Sequence, residues 1–115
     1  MIVAYVAGPY RSKSKMKLIN RMQVICNIIR ARAVARELWK LGYATFCPHS
    51  NTALFDGNVP DEVVLQGDIE ILKRCDIIVM QGKWEDSKGS LNELLVANKN
   101  KIKTYEWDGK KLVRL

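Results

Sequence analysis

The hydrophobic positions of this chain change their spacing as the sequence advances, and those changes mark out its elements. Ile2 to Ala7 is a short apolar run closed by Gly8-Pro9, as in a buried strand that ends in a turn. From about Asn20 to Leu41 the residues Val24, Ile28, Ala31, Ala35, Leu38 and Trp39 recur at steps that predict an amphipathic helix, with Gly42 capping its end. Tyr43 to Cys47 reads as a second strand, and Pro48 to Pro60 as a long polar loop with one apolar turn at Ala53-Leu54-Phe55. A helix from about Asp61 to Arg74 would turn Val64, Leu65, Ile69 and Leu72 inward, and Ile77 to Met80 reads as a strand buried on both faces. A further helix carries Glu93 and extends to about Asn98, and Ile102 to Trp107 makes a fourth strand. Asp108-Gly109 predicts a type I′ hairpin into a fifth strand over Lys111 to Leu115, antiparallel and at an edge.

Strand and helix alternate throughout, which predicts a three-layer α/β fold of Rossmann or flavodoxin type. Its five-stranded sheet is mainly parallel, with right-handed crossovers. A chain of 115 residues with 48% hydrophobic content is long enough for one compact domain and too short for two, so residues 1–115 are expected to form a single unit. In such sheets ligands bind in the crevice at the carboxyl ends of the strands. Three segments converge there by topology: Ala7 to Arg11, Pro48 to Asn51, and Trp84 to Glu93.

Composition narrows the picture in three ways. No apolar run approaches the roughly 20 residues that span a bilayer, and the N-terminal run lacks a basic lead-in, so a cytoplasmic, membrane-free protein is expected. Cys26, Cys47 and Cys75 are widely spaced with no CxxC, which predicts buried free thiols. Cys47 and His49 alone do not supply the four ligands of a zinc site, so no metal is expected. The net charge of +7, concentrated in Arg11 to Arg21 and in Lys99 to Arg114, suits phosphorylated small molecules or polyanions, or simply a solvated surface.

Candidate chemistry centres on Ser87-Lys88-Gly89-Ser90-Leu91-Asn92-Glu93, which puts a carboxylate at the carboxyl edge of the sheet. Ser90-x-x-Glu93 is also a capping box, with Ser90 as N-cap and Glu93 reaching back to its N–H. Gly8 permits close backbone approach, and Arg11 can grip a phosphate or carboxylate through its fork. There is neither a GxGxxG nor a GxxxxGK[ST] motif, so neither a dinucleotide fingerprint nor a P-loop is present, and no cofactor is expected. Basic residues without interleaved aromatics argue against nucleic acid as a partner.

Tyr5-Val6-Ala7-Gly8-Pro9-Tyr10-Arg11, Gln66 to Leu72, Cys75 to Val79, and Ser87-x-Gly89-Ser90-x-x-Glu93-x-x-x-Ala97 together resemble the nucleoside 2-deoxyribosyltransferase superfamily. Order and spacing match over nearly the whole chain. Within the superfamily, the chain is most similar to the small branch that hydrolyses nucleoside 5′-monophosphates and to short bacterial and phage-type relatives.

That resemblance implies roles for particular residues. Glu93 would attack C1′ of the sugar to form a glycosyl ester, Tyr5 would hydrogen-bond and position it, and Asp68 would serve proton transfer near the leaving base. Gly8, Arg11, Ser87 and Gly89 would hold a 5′-phosphate; transferases of unphosphorylated nucleosides tend to carry an Asp where Ser87 stands. The superfamily completes its site from a neighbouring subunit, which implies a homo-oligomer, a dimer or larger. The implied activity is an N-glycosidase. The alternatives are deoxyribosyl transfer and a non-catalytic nucleotide-binding or sensing protein of the same fold.

Plainer readings stand beside these roles. Tyr5 is also an ordinary core aromatic, and Asp68 a solvated helix carboxylate. His49 either contacts substrate or sits in a Pro-x-Ser turn, the simpler account. Trp84 either stacks on a base or plugs its loop onto the core.

Overall fold

The computed structural model describes residues 1–53, 55 and 57–115. In chain order its elements are β1 (Val3–Ala7), α1 (Lys17–Lys40), β2 (Ala44–Phe46), α2 (Pro48–Asn51), α3 (Asp61–Leu72) and β3 (Ile77–Met80). A single 3₁₀ turn (Trp84–Asp86) follows, then α4 (Lys88–Lys99), β4 (Lys103–Trp107) and β5 (Leu112–Arg114). The sheet order is β2-β1-β3-β4-β5, parallel except for the β4–β5 pair. The expected mainly parallel α/β sheet with an antiparallel last strand is therefore what the chain forms.

Alternation along the strands builds two cores. Ala4, Val6, Ile77 and Val79 point to one face and pack with Ala31, Val34, Ala35 and Leu38 of α1. Tyr5, Ala7, Ile78 and Met80 point to the other, where Leu72 of α3 and Ala97 of α4 close over them. The chain order reverses between β1 and β3, so α1 diverges there from α3 and α4 and leaves the crevice where ligands bind in this architecture.

The end of α1 shows local sequence setting geometry. Tyr43 N–H donates to Leu38 C=O at 3.0 Å and Gly42 N–H to Trp39 C=O at 3.0 Å. Gly42 sits at φ 95°, so these are the two bonds of a Schellman cap, which turns the chain into β2.

Several expectations need correction. Pro48 starts the one-turn helix α2 instead of a loop, because a proline at the first helical position gives up no needed N–H. Leu54, part of the expected apolar turn, lies outside the described residues. Leu65 and Trp39 are more than half exposed, and Ile71 takes the inward place beside Ile69. Cys26 is exposed, while Cys47 and Cys75 are buried thiols. The β4–β5 turn is not type I′, which needs two residues of positive φ; in the turn only Gly109 has one, and the Asp108 carboxylate instead accepts from the N–H groups of Lys110 and Lys111 at 2.8 Å each. No helix among the described residues is long and apolar enough to cross a membrane.

Candidate active site

On the α3/α4 face, Tyr5 is wholly buried in the middle of β1 and its hydroxyl donates to Glu93 Oε2. Glu93 comes from the second turn of α4, and its place there depends on how that helix begins. The N-cap is Ser87, whose Oγ accepts from Ser90 N–H at 3.2 Å and from the Ser90 hydroxyl at 2.9 Å. Ser90 is thus the third residue of the helix, not its cap. The helix starts three residues earlier than a Ser90 capping box requires, and this leaves the Glu93 carboxylate turned to β1.

Burial is the largest influence on the Glu93 carboxyl and pushes it up to about 7. The Tyr5 hydrogen bond pulls it down, and the charge of Asp68 adds to the rise. Asp68, half-buried on α3, is pushed up by burial to about 6. Burial and the Glu93 charge hold the Tyr5 phenol protonated far above its ordinary range. Both carboxyls therefore exchange their protons near neutrality instead of in the ordinary carboxylate range, Asp68 somewhat below Glu93. One member can then be an acid while the other is a base, a division that suits bond cleavage with proton transfer.

A family model described as a domain of unknown function, DUF4406, matches residues 2–105. The chain belongs to that family. Nothing among curated proteins matches it. Among solved structures, it is similar to a 2-deoxyribosyltransferase from the psychrotolerant bacterium Bacillus psychrosaccharolyticus, a biocatalyst for synthesis of antiviral and antitumoral nucleosides. The TM-score is 0.62 at 21% identity, over 90% of this chain and 70% of that one. At that identity the two share a fold. The DUF4406 chain thus carries its Tyr5–Glu93 pair on the same kind of sheet.

The remaining candidates are distributed around the crevice. Arg11 is exposed, and one guanidinium nitrogen lies 2.6 Å from Asp61 Oδ2 in the first turn of α3. Gly89 is exposed with open space where a side chain would stand, so the first turn of α4 is accessible from solvent. Gly8 is obligatory for an internal reason, since a Cβ there would fall 2.1 Å from Gln81 Nε2 and 2.8 Å from the Gln81 carbonyl oxygen. His49 is buried, with Nε2 at 3.0 Å from Gly8 C=O and 2.9 Å from Pro9 C=O. Burial lowers its pKa, so the neutral ring donates to these carbonyls and pins the turn after β1. The Trp84 indole N–H donates to Glu106 at 2.6 Å, and its ring packs on the Tyr5-side core.

Sequence reasoning missed two participants. Asp61 reads as an ordinary helix-start acid, and nothing in its local pattern announces a partner 50 residues away. Gln81 follows β3 and reads as the first loop residue; it is 2% exposed, its backbone N–H donates to Ala7 C=O at 2.9 Å, and its side chain lies over Gly8. A polar residue directly after a fully apolar strand is the only signal that could have marked it.

Proposed function

We propose that the protein is an N-glycosidase that cleaves the base from a nucleoside 5′-monophosphate, with Glu93 as nucleophile. The observation that carries this reading is the Tyr5–Glu93 hydrogen bond, in surroundings whose burial raises both Glu93 and Asp68 toward neutrality. The resemblance of the motifs and the fold shared with a 2-deoxyribosyltransferase support it.

In the first step a Glu93 carboxylate oxygen bonds to C1′ as the C1′–N bond breaks. Its electron pair leaves with the base, which takes a proton from Asp68. Tyr5 holds the attacking carboxylate in place. Water then attacks C1′ and gives its proton to Asp68, the ester C–O bond breaks, and Glu93 returns as carboxylate. A second base in place of water would give transfer. The reactive form has Glu93 ionised and Asp68 protonated; it is the less populated of the two singly protonated arrangements, because Glu93 holds its proton to higher pH than Asp68.

The phosphate would sit against the first turn of α4, where free N–H groups and the helix dipole favour an anion. Arg11 reaches it by leaving Asp61, an exposed ion pair that costs little to break.

The test is release of free base, followed by chromatography, from a panel of deoxy- and ribonucleoside monophosphates and the matching nucleosides. The expected outcome is release from monophosphates that falls at least about a thousandfold in Glu93→Ala. Release that is absent in wild type, or unchanged in Glu93→Ala, would overturn the reading. Nucleotides that raise the melting temperature without any product would support a binding protein instead.

A further inference from the structure

Helix α1 has 24 residues, yet all its buried residues, Ala31, Val34, Ala35 and Leu38, belong to its second half. The first half presents Leu18 (72% exposed), Met22 (57%), Ile25 (55%) and Ile29 (60%) to solvent. Their spacing of four, three and four residues places them within a narrow arc, on the side of the helix opposite the residues that meet the sheet. Arg36, two turns beyond Ile29 on the same line, ends the stripe. An amphipathic helix needs one apolar face, and this one has two.

We infer that the stripe Leu18-Met22-Ile25-Ile29 is a self-association surface, taken by the same stripe of a second copy in an antiparallel, two-fold pairing. The stripe is symmetric about its own centre, so Leu18 would face the partner's Ile29 and Met22 the partner's Ile25, as an isologous contact requires. Antiparallel pairing also opposes the two helix dipoles, which parallel pairing would align.

Area points the same way. Four long aliphatic side chains at these exposures leave on the order of 400 Å² of contiguous apolar surface, the size of the largest patch a monomer ordinarily shows, and such patches are often functional. Two copies with their flanking residues would bury roughly 1,000 Å², near the threshold for specific association. The stripe points away from the sheet, so the two bodies sit on opposite sides of the paired helices. Glu93 lies across the sheet, which makes the pairing independent of whether that pocket turns over.

The flanks of the stripe are basic, with Lys17, Arg21, Arg30 and Arg32 against Glu37 as the one acid of α1. Two like-charged surfaces repel, and salt screens that repulsion, so the dimer should tighten as ionic strength rises. An acidic partner protein on the same stripe would show the opposite dependence.

Sedimentation equilibrium of the full chain at low and high salt tests the pairing, with circular dichroism confirming that each variant is folded. Expected are a monomer–dimer equilibrium that strengthens several-fold with salt and a loss of affinity of at least about 30-fold in either M22E or I25K. Leu91→Glu, on exposed α4, should leave the equilibrium unchanged. In the antiparallel arrangement position 22 faces position 25 of the partner, so the double variant M22E/I25K pairs opposite charges and should recover most of the lost affinity. A wild-type chain that stays monomeric up to its solubility limit, or a dimer indifferent to M22E, would overturn the inference. A double variant as weak as the single ones would overturn the antiparallel register.

Discussion

The two faces of one sheet are built from alternate residues of the same strands, yet they differ in kind. Toward α1, β1 offers Ala4 and Val6, β3 offers Ile77 and Val79, and the space above them is filled by Ala31, Val34, Ala35 and Leu38 together with the Cys47 thiol and the partly buried rings of Tyr43, Tyr105 and Trp107, with no carboxyl among them. Toward α3 and α4 the neighbouring residues of β1 are Tyr5 and Ala7, and Tyr5 brings a hydroxyl into the core where it meets a carboxylate from α4. A one-residue step along β1 thus separates packing from chemistry. Burying a carboxyl costs stability, and a fold that needed only a core would have filled the position of Glu93 with an aliphatic residue, as it did across the sheet. The asymmetry says that the α1 face carries stability while the other gives some up.

That contrast can be broken by substitution on each side. Leu38 is wholly buried at the centre of the α1 face, and Leu38→Ala should destabilise by about 3 kcal/mol in urea unfolding through lost contacts and a cavity. The base-release rate per folded molecule should stay within about twofold, because nothing in the Glu93 pocket touches Leu38. A large fall in that rate would mean that the faces are not separate.

On the other face the prediction has a sign. The folded state raises the Glu93 pKa to about 7, chiefly by burial, so this group favours folding fully only below its unfolded value of about 4.5. That advantage is lost as pH rises through about 7. Glu93→Gln keeps the shape and an acceptor for Tyr5 but removes the charge. It should therefore stabilise the protein by up to about 3 kcal/mol at pH near 8.5 and by less than about 1 kcal/mol at pH near 5. Equal effects at both pH values, by urea unfolding, would show that Glu93 is not desolvated.

How much of this was legible beforehand follows the same division. The α1 face and the strands were readable because apolar periodicity is a local signal, and β1, β3, α1 and the sheet's mixed character fell where that signal put them. Exposure was less legible. Trp39 fits an inward pattern but lies at the margin of α1's buried face, where a small rotation decides the outcome, whereas Leu65 shares a line with Leu72 and is exposed because α3 meets the core only at its C-terminal end. The start of α4 was misjudged because Ser87 and Ser90 are both good caps three residues apart, and only the path out of the 3₁₀ turn selects Ser87. Tyr5 and Glu93 could be named from motif resemblance, but their hydrogen bond spans 88 residues and is a product of topology. The Arg11–Asp61 pair was invisible for the same reason.

That pair gives the smallest expected effect and the finest test of the division. Asp61 holds Arg11 on the surface at the edge of the chemical face, with both side chains about two-thirds exposed, so Asp61→Asn should change stability by less than about 1 kcal/mol. If Arg11 serves as an anion ligand, freeing it removes a competitor for its guanidinium. Affinity for a nucleoside monophosphate, measured by calorimetry, should then rise about two- to fivefold, and Arg11→Ala should abolish the gain. An unchanged affinity in Asp61→Asn would instead make the pair a tie between the loop after β1 and the start of α3. The phosphate would then depend on the first turn of α4 alone, with Gly89 and not Arg11 setting how closely it can approach.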